Sequence, residues 1–352
     1  MQQSEKIAIV IVNWNGWRDT VVCLESVLRL ENIDDCLIVV IDNGSTDGSR
    51  EKIAAWAGDE NGLDQYILTS LPVKLDGESK TVSFHSFTAD DLRNGNARLE
   101  QGITLIESGS NLGFAGANNI GIELALKRTE ITHVWFLNPD TVVESKALTC
   151  LLEKYSRDGQ PEMIGSTLVQ FSDPSEIQAQ GGGRWNMETM STEHIGSGLK
   201  IEDGLDEQTV ESQMDYIVGA ALLVDRRFIE RVGLMDASLF LYFEELDWAL
   251  RAQPTAKLGY ARDSIVYHKE GASTGLNSQT TLSGRSFYFF NRNRYRIVEQ
   301  YWPEKLSKLK RQMAWEIAVY VKRRQFDRSR ILGYVLAGKE LPEISNSADN
   351  KK

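Results

Sequence analysis

Three acidic side chains lie within four residues of one another: Glu244, Glu245 and Asp247. Carboxylates at this spacing can move protons or bind a cation. The structural alternative is a solvated helix N-terminus, where acids favour the helix dipole. Aromatic residues crowd the preceding segment, 240–243, which argues against a merely exposed turn. The cluster is therefore a candidate site of chemistry.

Polar groups also follow four apolar runs of the chain, at Asn13–Gly16, Asp42–Ser45, Asn111–Asn119 and Asn138–Asp140. Any one of them alone fits an ordinary turn. In an open parallel sheet, however, ligands bind beyond the carboxyl ends of the strands. Four polar ends converging on one edge are hard to explain by packing alone, so this edge is a candidate binding site.

Alternating apolar runs and helical patterns predict the elements that position these groups. Continuous Val, Ile, Leu and Phe runs predict buried strands at Lys6–Asn13, Cys36–Asp42, Gly102–Glu107 and His133–Asn138. Helical patterns occur at Trp17–Leu30, Gly48–Trp56 and Gly116–Arg128. The alternation predicts an α/β fold, with a mostly parallel central sheet flanked by helices and right-handed crossovers.

Two polar stretches interrupt this pattern, and they predict irregular structure. Residues 71–101 indicate a surface insertion, and the Gly-rich stretch Asp173–Gln213 indicates a functional lid or mobile segment. We expect a catalytic domain over residues 1–300. Residues 301–352 are expected to form a basic amphipathic helical tail that ends in a disordered polar segment.

Composition and missing motifs exclude several functions. The chain has 352 residues and a formal net charge of −11, which disfavours a general nucleic-acid binder. A Rossmann dehydrogenase would need Gly-x-Gly-x-x-Gly after the first strand; this chain has Asn-Trp-Asn-Gly there. No Gly-x-x-x-x-Gly-Lys-Ser/Thr loop occurs. Cys23, Cys36 and Cys150 lack metal-ligand spacing, and reduced thiols suit a cytoplasmic location.

The ordered series Ile11–Gly16, Val40–Ser49, Asn111–Gly121 and Phe136–Thr141 resembles the family-two glycosyltransferases, which have the GT-A fold. The nearest branch is the rhamnosyltransferase-like one that builds bacterial surface polysaccharides. Each motif alone is weak, but the set occurs in the right order and spacing over roughly residues 6 to 300. The resemblance implies an inverting transferase that moves a sugar from a nucleotide-diphosphate donor to a saccharide or lipid-linked hydroxyl.

The resemblance also implies roles for single residues. Asp42 and Asn43 would contact the base or ribose, and a loop at Gly113–Asn118 would close over the nucleoside. The full set of expected donor-binding residues is Asn13, Asp42, Asn43, Asn111, Gly113, Asn118 and Asn138. Glu245 would be the general base, with Glu244 as its rival. Gly219 and Ala220 would line the acceptor pocket, although a buried strand explains them equally well.

A divalent metal, Mg²⁺ or Mn²⁺, is implied by the same resemblance. Asp140 would be its acidic ligand, in a motif that reads Asn-Pro-Asp, and His268 would be a further ligand. The physical reason for a metal is that it stabilises the charge on the departing diphosphate. Mg²⁺ takes one or two carboxylates besides substrate phosphates, so one Asp is not too few.

The region from Arg285 to Arg330 holds thirteen Lys or Arg residues against four acids, in a chain whose net charge is −11. One interpretation is a basic, solvated helix pair packed on the catalytic domain. The other is contact of residues 285–330 with an anionic membrane surface. No segment reaches the length of a membrane span or a signal core, so we expect a cytoplasmic enzyme, with attachment to the inner membrane face as a further hypothesis.

Two other functions remain open from the sequence. A nucleotidyltransferase that makes nucleotide sugars would want a basic, Gly-rich loop after the first strand, where this chain has Trp14, Trp17 and the single basic residue Arg18. A non-catalytic carbohydrate-binding relative would not need Asp140 and Glu245. The sequence itself identifies neither the donor sugar, the acceptor nor the oligomeric state; the resemblance to the rhamnosyltransferase-like branch favours dTDP-rhamnose as donor and leaves UDP- and GDP-sugars open.

Overall fold

The structure, a computed structural model, describes residues 6–58, 71, 73–75, 78–269 and 282–341. The strands in this part of the chain are β1 Lys6–Asn13, β2 Cys36–Asp42, β3 Phe84–Phe87, β4 Gly102–Glu107, β5 Ile131–Leu137, β6 Thr141–Val143, β7 Met163–Gln170, β8 Ile177–Gln180, β9 Gly182–Asn186, β10 Ser191–His194, β11 Tyr216–Ile217, β12 Ala221–Asp225 and β13 Leu258–His268. The predicted bounds of β1, β2 and β4 are confirmed, and β5 begins two residues earlier than predicted.

The α-helices flank these strands. They are α1 Trp17–Val27, α2 Ser49–Ala57, α3 Ala89–Arg93, α4 Gly113–Leu126, α5 Ala147–Arg157, α6 Glu207–Glu211, α7 Arg226–Val232, α8 Glu244–Ala252, α9 Gly284–Tyr301, α10 Leu306–Lys322 and α11 Phe326–Leu336. Single 3₁₀ turns occur at Ile33–Asp35, Ile201–Asp203 and Pro303–Lys305. The expected helical C-terminal region is present.

The main sheet has ten strands, in the order β3-β4-β2-β1-β5-β12-β7-β13-β6, with β8 paired to β7. The strands from β3 to β5 in that order are parallel. β12 runs antiparallel to both β5 and β7, and β13 is again parallel to β7. The carboxyl ends of β1, β2, β4, β5, β7 and β13 therefore meet at one edge.

Both faces of the sheet are buried, as the continuous apolar runs predict. On β1, Ile9 and Ile11 pack into the core on the α1 side, whereas Val10 packs into the core on the opposite side. α4 lies close on that second side, because a Cβ at Gly121 would come within 2.6 Å of Val10. The helices packed on the two faces thereby fix the strand ends, from which the polar groups of the predicted binding edge follow.

The two stretches predicted to be irregular contain regular structure, and both predictions are corrected. Within 71–101, β3 extends the sheet by pairing with β4, because Phe84 and Phe87 are half-buried there. Within Asp173–Gln213, β9 and β10 form a hairpin that joins β11 in a three-stranded sheet. Glycines favour close packing there: a Cβ at Gly182 would lie 2.0 Å from the carbonyl oxygen of Tyr216.

The basic region divides into a buried and an exposed part. Half of the residues of α9 are buried, whereas α10 and α11 are buried chiefly through Leu309, Met313, Ile331, Leu332 and Val335. The predicted disordered segment falls on residues 342–352, which lie outside the described residues. The domain division near residue 300 stays a prediction. Among the described helices, none has the length and apolar character needed to cross a bilayer.

Candidate functional site

The carboxyl end of β1 is tied to the end of β2. The Asn13 amide donates to Asp42 Oδ1 at 2.8 Å and to Ser45 Oγ at 3.0 Å, and its Oδ1 accepts from Thr20 Oγ1 at 2.8 Å. Both Asn13 and Asp42 are buried. Because these bonds occupy the Asn13 amide, Asn13 serves to orient Asp42. The expected contact of Asn13 with a nucleotide stays a prediction.

Asn43 fixes the turn that precedes α4. Its Nδ2 donates to Asn111 Oδ1 and to the Gly113 carbonyl oxygen, both at 3.2 Å, and its Oδ1 accepts from the Leu112 amide at 2.8 Å. Gly113 has φ +75°, and a Cβ there would lie 2.2 Å from the Phe240 carbonyl oxygen. Only glycine fits this close approach, which brings the turn against residue 240.

Asn118 lies apart from these groups. The predicted loop at Gly113–Asn118 is wrong, because α4 already begins at Gly113. The Asn118 amide is buried and donates to the Phe114 carbonyl oxygen at 3.0 Å, one turn earlier in the same helix. Asn118 thus stabilises the first turn of α4. The alternation of small and apolar residues over this segment could have indicated that the helix begins at Gly113.

One cavity, of about 360 Å³, lies at the ends of β1, β2 and β5, and we call it the strand-end cavity. Its lining residues are Val12, Trp14, Asn43, Asn111, Gly113, Phe114, Asn138, Pro139, Phe240, Leu241, Ser283, Arg285 and Ser286. Four of the seven expected donor-binding residues are among them. The half-buried guanidinium of Arg285 lies 4.8 Å from the Phe240 ring centre, and burial lowers its pKa. Arg285 was not predicted from the sequence.

Asp140 and His268 lie side by side at the ends of β5 and β13. Asp140 Oδ1 is 3.3 Å from His268 Nε2, and both residues are buried. Burial raises the pKa of Asp140, but His268, backbone hydrogen bonds and Lys269 outweigh it, so the carboxyl stays below its ordinary value. Asp140 is therefore an anion at neutral pH.

Gln178 on β8 fixes the orientation of the His268 ring. Its Oε1 lies 2.8 Å from His268 Nδ1, and a carbonyl oxygen only accepts, so Nδ1 carries the proton. In the neutral ring, His268 Nε2 then carries the lone pair and accepts from the Asn138 amide at 3.3 Å. A ligand histidine held through its other nitrogen is typical of metal sites. Gln178 was missed from the sequence, because it lies in the stretch predicted as a lid.

These residues suit a divalent cation. Asp140 Oδ1 is buried and has no hydrogen-bond partner within the described residues, an omission that costs free energy unless a ligand compensates. A carboxylate and an imidazole nitrogen are donors that Mn²⁺ accepts. The described residues contain no cluster of three or more His, Cys, Asp or Glu that could hold a metal on its own, so phosphates and water would have to complete the coordination.

A second cavity, of about 220 Å³, contains all four predicted catalytic and metal residues, and we call it the acid cavity. Its lining residues are Phe114, Asn138, Asp140, Thr192, His194, Tyr216, Val218, Gly219, Ala220, Leu241, Tyr242, Phe243, Glu244, Glu245, Leu246, His268 and Phe290. Phe114, Asn138 and Leu241 line both cavities. The two cavities are therefore neighbours, and the predicted residues meet.

Glu244 and Glu245 begin α8 in different environments. Glu244 is buried, and its Oε1 has no hydrogen-bond partner within the described residues; burial and the neighbouring Glu245 raise its pKa well above the ordinary value. Burial also raises the pKa of Glu245, to about 7, against backbone hydrogen bonds that lower it. Asp247 does not join them, since it bonds Arg251 at 2.8 Å and Tyr301 Oη at 2.7 Å.

Gly219 makes room for the Glu245 carboxylate. A Cβ at residue 219 would lie 1.7 Å from Glu245 Oε1, and a hydrogen bond from the Gly219 backbone lowers the Glu245 pKa. Gly219 lies two residues before the start of β12. The expectation that Gly219 lets a sugar approach the backbone stays a prediction. The missing side chain at residue 219 leaves the space that the Glu245 carboxylate occupies.

The segment 238–243, which we call the acid loop, leads into α8 with an unusual backbone. Phe240, Tyr242 and Phe243 have φ angles of 68°, 74° and 72°, a left-handed region that costs non-glycine residues about 1–3 kcal/mol each. The Phe240 carbonyl oxygen accepts from the Phe114 amide at 2.7 Å. Strain of this kind persists only where neighbouring groups hold it, and it often marks functional sites.

Comparisons with known proteins find glycosyltransferases both by sequence and by fold. A model of the family described as Glycosyl transferase family 2 matches residues 8–70. The chain is 23% identical over 187 residues to the low-salt glycan biosynthesis hexosyltransferase Agl10 of Haloferax volcanii, covering 53% of this chain and 57% of Agl10. This chain therefore spans little more than half of that relative.

Two solved structures share the architecture. The crystal structure of GalNAc-T7 with UDP, GalNAc and Mn²⁺ aligns with a TM-score of 0.55 and 18% identity, over 99% of this chain and 58% of that chain. The mannosyltransferase PcManGT from Pyrobaculum calidifontis, in complex with GDP-Man and Mn²⁺, aligns with a TM-score of 0.51 and 12% identity, over 99% and 79%. The chain thus has a GT-A glycosyltransferase fold. Its N-terminal segment, which contains Asn13, Asp42 and Asn43, matches family 2.

Proposed function

We propose that this protein is an inverting glycosyltransferase that moves a hexosyl group from a nucleoside diphosphate sugar to an acceptor hydroxyl. The observation that carries the proposal is the acid cavity, which brings Asp140, His268, Glu244 and Glu245 to one space beside the strand-end cavity. Packing alone does not require four such side chains, two of them with unpartnered buried oxygens, to share a cavity.

The donor would bind with its nucleoside in the strand-end cavity. Asn111 lines that cavity beside Asn43, whose own amide is bonded within the protein, and Trp14 offers an aromatic face that is 36% exposed. Because Asn138 lines both cavities, the diphosphate would pass it on the way to Asp140 and His268. The sugar would then project into the acid cavity.

Asp140 and His268, supported by Gln178, would hold a divalent metal together with the diphosphate. When bound, that metal would stabilise the negative charge that builds on the departing diphosphate. Of the two solved neighbours, GalNAc-T7 contains Mn²⁺ with UDP and PcManGT contains Mn²⁺ with GDP-Man. This supports the same class of metal here.

Glu245 would be the general base. Its carboxylate takes the proton of the acceptor hydroxyl while that oxygen bonds to the anomeric carbon, and the bond from that carbon to the diphosphate oxygen breaks. The nucleoside diphosphate leaves with the electron pair of that bond. A base works best when its pKa lies near the working pH, and the Glu245 pKa of about 7 meets that condition. The Glu244 pKa is raised well above its ordinary value by burial and by the neighbouring Glu245, and in its protonated form Glu244 would offer a hydrogen bond.

The acceptor would lie against the aromatic part of the acid cavity. Tyr216, Tyr242 and Phe290 contribute faces there, and Thr192 and His194 contribute polar groups from β10. Such a mixture suits a saccharide, whose rings present both apolar faces and hydroxyls. The hexosyltransferase Agl10 acts in glycan biosynthesis, as its name states, which supports an acceptor of this kind.

The finer features of the proposal rest on the sequence motifs. They favour dTDP-rhamnose as donor, a saccharide or lipid-linked saccharide as acceptor, surface polysaccharide biosynthesis as the process and the cytoplasm as the location. Of the basic region 285–330, α9 has half of its residues buried, a larger share than α10 or α11. A membrane contact would therefore involve α10 and α11.

The test is a screen of nucleotide sugars with and without Mn²⁺, read first as thermal stabilisation and then as nucleoside diphosphate release in the presence of acceptors. A bound donor raises the melting temperature by mass action. We expect one donor class to stabilise the protein and to be consumed, and Asp140→Ala and Glu245→Ala to abolish turnover. Full turnover in both variants would refute the assignment of this site.

A further inference from the structure

The outward face of α10 combines exposed apolar groups with cations. Trp315 and Val321 are 66% and 48% exposed, and Phe326 at the start of α11 is 62% exposed. Lys310, Arg311, Lys322, Arg323 and Arg324 are exposed around them. We call these eight residues the tail surface. The opposite face of α10 is buried through Leu309 and Met313, so the exposed apolar groups are not needed for packing.

The cations of the tail surface lack acidic partners within the described residues. Lys308 and Arg330, just outside it, each pair with an acid, whereas none of the five tail-surface cations forms an ion pair within the part of the chain described. The acids nearest in the sequence are Glu316, which approaches Arg294, and Asp327, which approaches Arg330. The tail surface therefore carries positive charge on a chain whose net charge is −11.

We propose that the tail surface binds the anionic headgroup region of a lipid bilayer. An indole and a phenyl ring suit the boundary between headgroups and acyl chains, and each Lys or Arg near that surface adds attraction. An anionic bilayer can bind the apolar groups and the cationic groups of the tail surface at the same time.

Vesicle binding tests this proposal with the full-length chain, without any substrate. We expect it to co-sediment with vesicles of equal parts phosphatidylcholine and phosphatidylglycerol, and not with phosphatidylcholine alone. The variant Arg311→Gln/Lys322→Gln should bind roughly 30-fold more weakly, since each lost cation costs about fivefold. Trp315→Ala/Phe326→Ala should also weaken binding. The matched control Lys146→Gln/Arg262→Gln removes two exposed cations of the catalytic domain and should bind like wild type.

Three results would overturn the proposal. They are no retention by anionic vesicles, equal retention of both tail-surface variants and the wild type, or a concentration-dependent dimer that Trp315→Ala abolishes while vesicle binding is unchanged. The last result would assign the surface to a second copy of the chain. Because the assay needs no turnover, its outcome is independent of the proposed transferase activity.

A separate observation concerns Asn293 on α9. Its fully buried amide donates to the carbonyl oxygens of Leu239, Leu241 and Tyr242, at 2.8, 2.8 and 3.0 Å. Its Oδ1 accepts from Arg292 Nε at 2.9 Å, and Arg292 donates to the carbonyl oxygens of Ser238 and Leu239. One side chain thus gathers three carbonyls of the acid loop, the segment with three left-handed residues that leads into Glu244 and Glu245.

We infer that Asn293 is a positioning residue that holds Glu245 in place through the acid loop. This inference rests on the proposed function. An amide with two hydrogens is suited to this task, because aspartate would set a carboxylate against three carbonyl oxygens. Alanine would remove the side-chain donor to the Leu241 and Tyr242 carbonyls, while the Leu239 carbonyl would keep Arg292. Without that donor, the end of the acid loop loses a contact that holds its left-handed residues, and the base at the start of α8 would shift.

The variant Asn293→Ala tests this inference. We expect kcat to fall by roughly 10- to 100-fold, donor affinity to stay within about twofold, and the acid limb of the kcat/KM profile to move below pH 7 as water reaches Glu245. Asn291→Ala is the matched control, because Asn291 is buried on the same helix and its amide donates, among the described residues, to the Phe287 carbonyl oxygen alone. It should keep the pH profile.

An unchanged pH profile and kcat in Asn293→Ala, with wild-type turnover intact, would refute the positioning role alone. A lower melting temperature with unchanged kinetics would show a merely structural role and would refute it as well. Absence of turnover in the wild-type protein with every donor would refute the proposed function instead.

Discussion

Replacing Gly219 with alanine is expected to damage catalysis while leaving the fold and the donor site intact. The new Cβ would lie 1.7 Å from Glu245 Oε1, and real Cβ contacts are almost never shorter than 3.0 Å. The carboxylate oxygen must therefore move by more than 1 Å. Gly219 does not have a positive φ, so alanine brings no backbone strain of its own.

The size of the effect follows from that displacement. A positioned general base contributes about 10²- to 10⁴-fold to the rate, and a misplacement of about 1 Å costs on the order of 10²-fold. We expect kcat of Gly219→Ala to fall by about 100-fold, because Glu245 no longer meets the acceptor hydroxyl. The donor dissociation constant should stay within about twofold, since Gly219 does not line the strand-end cavity.

Nucleoside diphosphate release under saturating donor measures kcat, and calorimetry measures donor affinity. Gly333→Ala is the control, since a Cβ at residue 333 meets no heavy atom within 4 Å. The double variant Gly219→Ala/Glu245→Asp should recover part of the activity, because the shorter side chain restores room. Wild-type kcat in Gly219→Ala, or a loss of donor affinity equal to the loss of kcat, would refute this reasoning.

Three further predictions concern the same site. The kcat/KM of the wild type should rise with pH up to about 7, the pKa of Glu245. Any residual activity of Glu245→Gln should lack this limb; a rise that persists in the variant would contradict the base assignment. Burial lets Glu245 keep a proton in the folded state that the unfolded state loses, so the free energy of unfolding should fall between pH 4.5 and about 7. At pH 8, Glu245→Gln should therefore be more stable than wild type by about 1–3 kcal/mol of unfolding free energy, whereas at pH 4 the two proteins should be equally stable. Equal stability at pH 8 would contradict this burial. Gln178→Ala should weaken Mn²⁺ binding in the presence of nucleoside diphosphate by about 10- to 100-fold, measured by titration calorimetry, whereas Gln208→Ala, on exposed α6, should leave it unchanged; unchanged binding in Gln178→Ala would show that His268 does not ligate the metal.

The central strands and the polar groups at their ends were predictable from the sequence, because both depend on local patterns. Continuous apolar runs identified β1, β2 and β4, and the parallel arrangement brings Asn13, Asp42 and Asn138 to one edge. The family-like motifs added Glu245 and His268, which the structure places in one cavity.

Long-range contacts account for what the sequence did not reveal. The stretch Asp173–Gln213 looks polar and irregular because its strands are short and glycine-rich, yet it supplies Gln178, which orients His268 from 90 residues away. Asn293 lies in a helix whose pattern predicts only a basic face, and its three hydrogen bonds reach back more than 50 residues. Neither role leaves a local signal.

The most direct test of the account is the anomeric configuration of the first product formed. Proton NMR measures this configuration with the donor identified in the screen. A single displacement with Glu245 as base predicts a product whose anomeric configuration is opposite to that of the donor, and no product from Glu245→Gln on the same time scale. A product with retained configuration, or unchanged product formation by Glu245→Gln, would contradict it.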